Sequence, residues 1–218
     1  MTKPHKATAD RLNAIQLVLA NTLAYPEIQQ AMAAYGYSDE ILAEGQALFD
    51  QAQQAVFKQD GKTAEARNLA AREREARHAA WDSYQELAKI LRAHFVHEPE
   101  VLTNLALRGR TPNATAAFLH RARTLIQAIK ADPHVTAALA EYNIDGSRME
   151  AHRRTVEEYA SVNEQHEAAK AARQVATRQQ NDALAVAWDW RARFVKVARV
   201  ALKDQKQLLE ALGIRVRM

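Results

Sequence analysis

The sequence predicts an all-α protein, an elongated helical bundle built from two tandem copies of a 107-residue unit related by pseudo-twofold symmetry. The first observation is that Trp81-Asp82 recurs as Trp188-Asp189, within an ungapped match on both sides. The second is that the 218 residues include only 6 Gly and 5 Pro, while Ala, Glu, Gln, Arg and Leu are abundant, which favours helix throughout. Two similar units pack most simply about a twofold axis, so we expect both copies to share one core.

Further identities at the same spacing set the boundary of the repeat. They are Pro26 and Pro133, Tyr35 and Tyr142, Ala80 and Ala187, Lys89 and Lys196, Arg92 and Arg199, Leu102 and Leu209, Leu105 and Leu212, and Arg108 and Arg215. The first copy covers residues 1–108, a linker covers 109–115, and the second copy covers 116–218. In the linker, Thr111 and Pro112 are expected to be the N-cap and the first residue of the next helix.

Each copy is expected to begin with two helices. The first helix covers about residues 9–24, and its counterpart about 114–131, because apolar side chains recur there at helical spacing. Pro26 and Pro133 then open a short second helix, since proline is favoured in the first turn.

The second helix should end where Gly36 and Asn143 occupy the same repeat position. Both residue types tolerate the left-handed conformation that closes a helix. Ser38 and Asp145 follow at equivalent positions, and both are N-cap residues, so a third helix is predicted to start there in each copy.

The third helix leaves two alternatives open. Either the chain turns near residues 60 and 167, or one long helix runs over 38–96 and again over 145–203, with a length of about 85 Å at 1.5 Å per residue. Asp60-Gly61-Lys62 is a plausible break in the first copy, but the second copy has no turn residues at the matching place. The long helix is therefore favoured.

The most apolar helical segment in each copy surrounds Trp81 and Trp188, and both indoles are expected in the core. A short last helix should follow over 101–107 and 208–214. Heptad-like patterning in the long helices favours helix–helix association of the coiled-coil kind, within the chain or between chains.

Composition restricts the classes of function. The absence of Cys excludes disulfides, thiolate metal sites and cysteine nucleophiles. The chain starts without a signal-like apolar run and has no stretch of about 20 apolar residues, so a cytoplasmic protein without membrane insertion is expected. Residues 1–108 carry 12 Lys and Arg against 14 Asp and Glu, and the remainder carry 18 against 12. Acidic residues are interleaved with the basic residues of the second copy, and this pattern argues against nucleic-acid binding.

Charged residues kept in both copies are the first candidates for a site. They are Asp82 and Asp189, Lys89 and Lys196, and Arg92 and Arg199. The structural interpretation is an ion pair between each carboxylate and a Lys or Arg from the other copy. The functional interpretation is a twofold ligand site with both aspartates as metal ligands or proton acceptors, although one Asp per copy is a thin ligand set.

His94 and His97 form the second candidate, because a spacing of three places both imidazoles on one helical face, as a metal pair requires. Their repeat partners are Ala201 and Asp204, so this pair is not a feature of the repeat. No cofactor is indicated, since the chain has no glycine-rich phosphate loop and no serine in a nucleophile elbow. These missing motifs argue against an enzyme.

Segments 187–189, 194–204 and 208–214, with the Tyr-Gly-Tyr-Ser stop at 35–38, resemble a group of bacterial, tandemly duplicated, all-helical proteins of uncharacterised function. The resemblance covers most of the chain and is one of pattern. It implies a bacterial, cytoplasmic protein and supplies no catalytic residues.

Three functions remain as hypotheses. The first is a non-enzymatic structural or protein-interaction role, with self-association or a protein partner. The second is a ligand- or metal-binding helical bundle with sites near Asp82 and Asp189, and the third is weak nucleic-acid binding through the basic second copy.

Overall fold

A computed structural model describes residues 4–215, and their side chains from residue 8 onward. The described residues form eight helices and no strand, which confirms the all-α prediction. Two of the helices have 56 residues each. The helices are α1 Pro4–Ala24, α2 Pro26–Ala33, α3 Asp39–His94, α4 Pro99–Asn104, α5 Thr115–Ala131, α6 Pro133–Glu141, α7 Gly146–Ala201 and α8 Lys206–Ala211.

The long helices α3 and α7 run without interruption through residues 60 and 167, so the favoured alternative is confirmed. Gly61 lies inside α3, and apart from its chain neighbours and the nearby helix backbone no atom lies within 4 Å of the place where a Cβ would stand. A single interior glycine costs a helix about 1 kcal/mol, and the surrounding Ala, Glu and Arg residues offset that cost.

The predicted ends of α2 and α6 and the predicted starts of α3 and α7 are confirmed. Gly36 and Asn143 both have positive φ, +86° and +58°. The Asp145 carboxylate accepts a hydrogen bond of 2.9 Å from the Arg148 backbone N–H, so it caps α7 as predicted. Ser38 directly precedes α3, and its carbonyl accepts the first helical bond, from Leu42 N–H.

The predicted cap at Thr111 and Pro112 is wrong. Helix α5 begins only at Thr115, with Ala114 at the N-cap and no side-chain cap. Contacts with α3 hold the preceding residues in a non-helical path, because the Arg77 guanidinium donates a 2.8 Å hydrogen bond to the Asn113 carbonyl. A helix that began at Pro112 would take that carbonyl into its own ladder.

The contacts divide the chain into two compact units whose bounds differ from those of the two predicted copies. The terminal unit comprises residues up to Ala64 and from Ala171 onward, and the middle unit comprises Glu65–Lys170. Each unit therefore takes residues from both sides of the linker at 109–115. In each unit one part of α3 lies antiparallel to one part of α7. In the middle unit, for example, Ser83 contacts His152 and the later Glu86 contacts the earlier Arg148.

The middle unit has its own apolar core. Burial of each large side chain in it contributes about 1.5–3 kcal/mol. The largest members, from α3 to α7, are Tyr84, Leu87, Leu91, Phe95, Leu105, Phe118, Leu125, Ile129, Val135, Leu139, Val156 and Tyr159.

The terminal unit has a second core, composed of residues from both ends of the described chain. Its main members are Ile15, Val18, Ile28, Met32, Leu42, Phe49, Trp190, Phe194, Leu202, Leu209, Leu212 and Ile214. At Gly45 in this core the backbone of α3 closely approaches the Trp190 indole, so that an added Cβ would overlap the ring.

Candidate functional site

A cleft of the middle unit lies where the start of α7 meets α5 and α6. We call it the middle-unit cleft. Its volume is about 340 Å³, within the usual size range of small-molecule sites. The floor is apolar and the rim is charged. The lining residues are Ile126, Ile129, Lys130, Thr136, Leu139, Ile144, Asp145, Gly146, Met149, Glu150 and Arg153.

The rim charges of the middle-unit cleft are unequally compensated. Arg153 donates two hydrogen bonds to Glu150, of 2.8 and 2.6 Å. These bonds are the main reason that the pKa of Glu150 is lowered, and the charges of Arg153 and Lys130 also lower it. Asp145 is engaged as the helix cap. Lys130 is exposed and forms no ion pair with any side chain described between residues 8 and 215.

The terminal unit has a cleft of about 360 Å³ at the place where the start of α3 meets α1 and α2. We call it the terminal-unit cleft. Each of its lining residues stands 107 positions before a residue that lines the middle-unit cleft. These lining residues are Leu19, Leu23, Gln29, Asp39, Leu42, Ala43 and Gln46. The two clefts therefore share their construction.

The two clefts differ in charge. Leu23 stands where the middle-unit cleft has Lys130, and Gln46 stands where it has Arg153. Among the described residues that line the terminal-unit cleft, Asp39 alone carries a charge. An anionic group would therefore meet a cation in one cleft and only a carboxylate in the other.

Both predicted core tryptophans are half-buried instead. Trp81 stacks on Phe118 with ring centroids 5.2 Å apart. Trp188 lies under the Arg191 guanidinium at 4.8 Å, with that of Arg11 at 5.7 Å. The buried indole is that of Trp190, which is 3% exposed. Trp188 and Trp190 are two residues apart in α7 and therefore lie on different faces of the helix. Periodicity alone does not tell which of the two indoles faces inward.

Asp82 and Asp189 are both exposed. Asp82 pairs with His78 of its own helix at 2.9 Å, with its side chain 65% exposed, so the predicted pairing with Lys or Arg is wrong there. A spacing of four residues places His78 next to Asp82 on the surface of α3. Asp189 has no ion-pair partner among the side chains described in residues 8–215.

The basic candidates separate into one structural residue and three surface residues. Arg92 donates two hydrogen bonds to the Leu107 carbonyl, of 3.1 and 3.0 Å, and so secures the chain after α4. Lys89, Lys196 and Arg199 are exposed on the long helices.

The predicted His94 and His97 pair is not on one helical face, because α3 ends at His94 and residues 95–97 form a turn. His94 Nδ1 is 3.3 Å from the Tyr142 hydroxyl, and His97 is exposed. No group of three or more His, Asp or Glu side chains within the described part of the chain is arranged to hold a metal ion.

The middle unit also contains a polar cluster that the sequence analysis does not predict. Ser83 Oγ and Nδ1 of His152 share a 2.6 Å hydrogen bond, and Nε2 of the same imidazole is 3.8 Å from Glu86. Burial is the main reason that the pKa of His152 is lowered; Arg148 lowers it further and Glu86 opposes the shift. Arg148 also pairs with Glu86 at 2.8 Å.

This cluster contains a serine, a histidine and a carboxylate, but its setting does not suit acyl transfer. Ser83 lies inside α3, where backbone N–H groups are committed to the helical ladder and cannot stabilise an oxyanion. A signal in the sequence could have located the cluster. At the equivalent repeat positions Ser83 is replaced by Trp190 and His152 by Gly45, a compensating exchange of large and small side chains.

The chain matches no protein-family model, no curated protein and no solved structure with which it was compared. None of the helices described between residues 4 and 215 has the length and hydropathy that a membrane span requires.

Proposed function

We propose that the protein is a non-enzymatic helical binding protein with one cleft for an apolar or amphipathic small ligand in each compact unit. The observation that carries this proposal is that the two clefts, of about 340 and 360 Å³, use repeat-equivalent residues. Ile126 and Met149 give the middle-unit cleft an apolar wall, and Leu19 and Leu42 give the terminal-unit cleft the same wall. Apolar walls with a few polar groups are typical of small-ligand sites.

Tandem duplication with pseudo-twofold symmetry is part of the same proposal. The bounds of α3 and α7, and of α4 and α8, are displaced by 107 residues at both ends. Equivalent positions are also buried in both cores, as for Ala80 and Ala187. These correspondences support two copies of one binding unit, in which each compact unit is completed by elements from both copies.

The test is a titration of methyl-labelled protein with octan-1-ol, a neutral amphipathic probe, followed by NMR. The methyl signals of Ile126 and Met149 report on the middle-unit cleft, and those of Leu23 and Leu42 on the terminal-unit cleft. Both sets should shift and reach saturation, because the probe replaces water on apolar walls.

Blocking variants localise the binding. Met149→Trp should abolish the response of Ile126, the remaining reporter of the middle-unit cleft, and Ala43→Trp should abolish the response of the terminal-unit cleft alone. Val186→Trp is the matched control, because Val186 is exposed in the terminal unit outside the cleft lining. Methyl shifts that never saturate, or that survive both blocking substitutions, would contradict the proposal.

Self-association is the second candidate function. Phe57 on α3 is 71% exposed, the most exposed of the large apolar side chains described in residues 8–215. Burial of this ring against a second copy would remove apolar surface from water and so stabilise an oligomer. Sedimentation of the wild type and of Phe57→Gln tests it. A concentration-dependent oligomer that Phe57→Gln weakens supports the role, and a monomer at all concentrations rejects it.

A further inference from the structure

The middle-unit cleft carries an uncompensated cation at the edge of an apolar cavity. Lys130 belongs to the lining, is exposed, and has no ion-pair partner among side chains of the described residues. Lys130 and Glu150 both line this cleft, and the charge of Lys130 contributes to the lowered pKa of Glu150.

The acidic side chains at this rim are already engaged. Glu150 is held by two hydrogen bonds from Arg153, and Asp145 accepts the cap bond at the start of α7. A ligand anion would therefore face Lys130 as the cation that is left over, while its apolar part would cover Ile126 and the neighbouring floor.

The terminal-unit cleft provides an internal comparison. It has the same construction, but Leu23 replaces the lysine and Asp39 replaces Gly146 at the mouth. Apolar contact is open to a ligand in both clefts, while attraction for an anion is confined to one of them.

We infer that the middle-unit cleft selects a monocarboxylate with an apolar body, of the fatty-acid type, with the carboxylate at Lys130 and the chain on the apolar floor. This inference rests on the proposed function, since it names the ligand class for one of the two clefts. The terminal-unit cleft takes the neutral counterpart and rejects the anion.

The experiment compares octanoate, octan-1-ol and octylammonium by methyl NMR and calorimetry on the full chain. Octanoate should shift the Ile126 and Met149 signals and leave Leu23 and Leu42 unchanged. Lys130→Leu installs the residue found at the equivalent position, and it should weaken octanoate binding by about tenfold or more through loss of the charge-assisted contact. The same variant should lower the affinity for octanoate relative to the affinity for octan-1-ol, and Lys130→Arg should retain octanoate binding.

Lys89→Leu is the matched control, since Lys89 is an exposed lysine outside the cleft lining. Circular dichroism melting of each variant establishes that it is folded. Unchanged octanoate affinity in Lys130→Leu, or equally tight binding of octylammonium, overturns the inference while the clefts remain binding sites. A failure of all three probes to move the Ile126 and Met149 signals overturns both the inference and the proposed function.

Discussion

Ser83 Oγ lies 2.6 Å from Nδ1 of His152 in the middle unit, and the positions 107 residues away hold Trp190 against Gly45 in the terminal unit. The two units therefore fill the same place between α3 and α7 in different ways. One uses a hydrogen-bonded polar pair, and the other uses an indole against bare backbone. The stability of each unit should therefore depend on the pair of residues that fills this place in it.

Removal of the Ser83 hydroxyl should destabilise the protein. In Ser83→Ala, a ring nitrogen of a side chain that is only 8% exposed loses its partner. The expected loss is about 1–3 kcal/mol, because a buried polar group is left unsatisfied. Urea unfolding measures the change, with Ser161→Ala, at an exposed serine of the same unit, as the control. Equal stabilities of the two variants would contradict the role of the bond.

Replacement of Ser83 and His152 by the residue types of the terminal unit should reveal an energetic coupling between the two positions. Ser83→Trp alone crowds His152, and His152→Gly alone removes a side chain and adds a helix penalty of about 1 kcal/mol. The double variant resembles Trp190 on Gly45, so its loss of stability should be smaller than the sum of the single losses by about 1 kcal/mol or more. A double-mutant cycle from urea unfolding measures this difference, and strict additivity would argue against equivalence of the two places.

Stability should fall at acidic pH because of His152. The pKa of its folded form lies below the model-compound value of 6.5, mainly through burial. Between those two values the unfolded state binds more protons than the native state, so stability decreases as pH falls from 6.5 toward the folded pKa. The contribution is fully present above pH 6.5.

Urea unfolding at several pH values tests this dependence. The double variant Ser83→Trp with His152→Gly should lose the acidic decrease that belongs to His152. His120→Asn, at an exposed histidine of the same unit, should keep it. If the double variant retained the full wild-type slope, the buried imidazole would not be its source.

Two glycines of α3 should respond to alanine in opposite directions. Alanine normally favours a helix interior over glycine by about 1 kcal/mol. Gly61→Ala should gain up to about that amount, because its surroundings are open. Gly45→Ala should instead lose about 1–3 kcal/mol, since the new Cβ overlaps the Trp190 ring and overpacks the terminal core. Thermal unfolding compares them, and a stabilising Gly45→Ala would disprove the close approach.

Arg92 and Arg199 should differ although both copies keep them. Arg92→Met removes two hydrogen bonds to the Leu107 carbonyl, each worth about 0.5–1.5 kcal/mol or more for a charged donor. Arg199 is exposed, and Arg199→Met should change the free energy of unfolding by less than about 0.5 kcal/mol. Equal effects of the two substitutions would show that the Leu107 contact does not stabilise the fold.

Local signals made much of the fold predictable. Gly36 and Asn143 stop α2 and α6 because few other residues adopt positive φ, and Asp145 caps α7 through a bond to a residue three positions away. The predicted helix start in the linker is wrong because the Asn113 carbonyl accepts a hydrogen bond from a side chain 36 residues away. No local sequence pattern records such a distant contact.

The site was predictable only in part, since it depends on the register between distant helices. The contact of Ser83 with His152 joins residues 69 apart, and the depth of Trp188 depends on how α7 is rotated. The identity of Asp82 and Asp189 predicts a site at Asp82, but this side chain is solvent-exposed. The informative positions were those where the copies differ, such as Lys130 against Leu23 in the clefts.

The central structural claim is that each compact unit is completed by residues from both sides of the linker. The most direct measurement is urea unfolding, with sedimentation, of fragments 1–108 and 109–218 made separately and then mixed. Each fragment as a monomer should lack cooperative unfolding, because it carries only part of each core, and mixing should restore the transition of the intact chain. A monomeric fragment 1–108 that unfolds cooperatively with the stability of the intact protein would contradict the account.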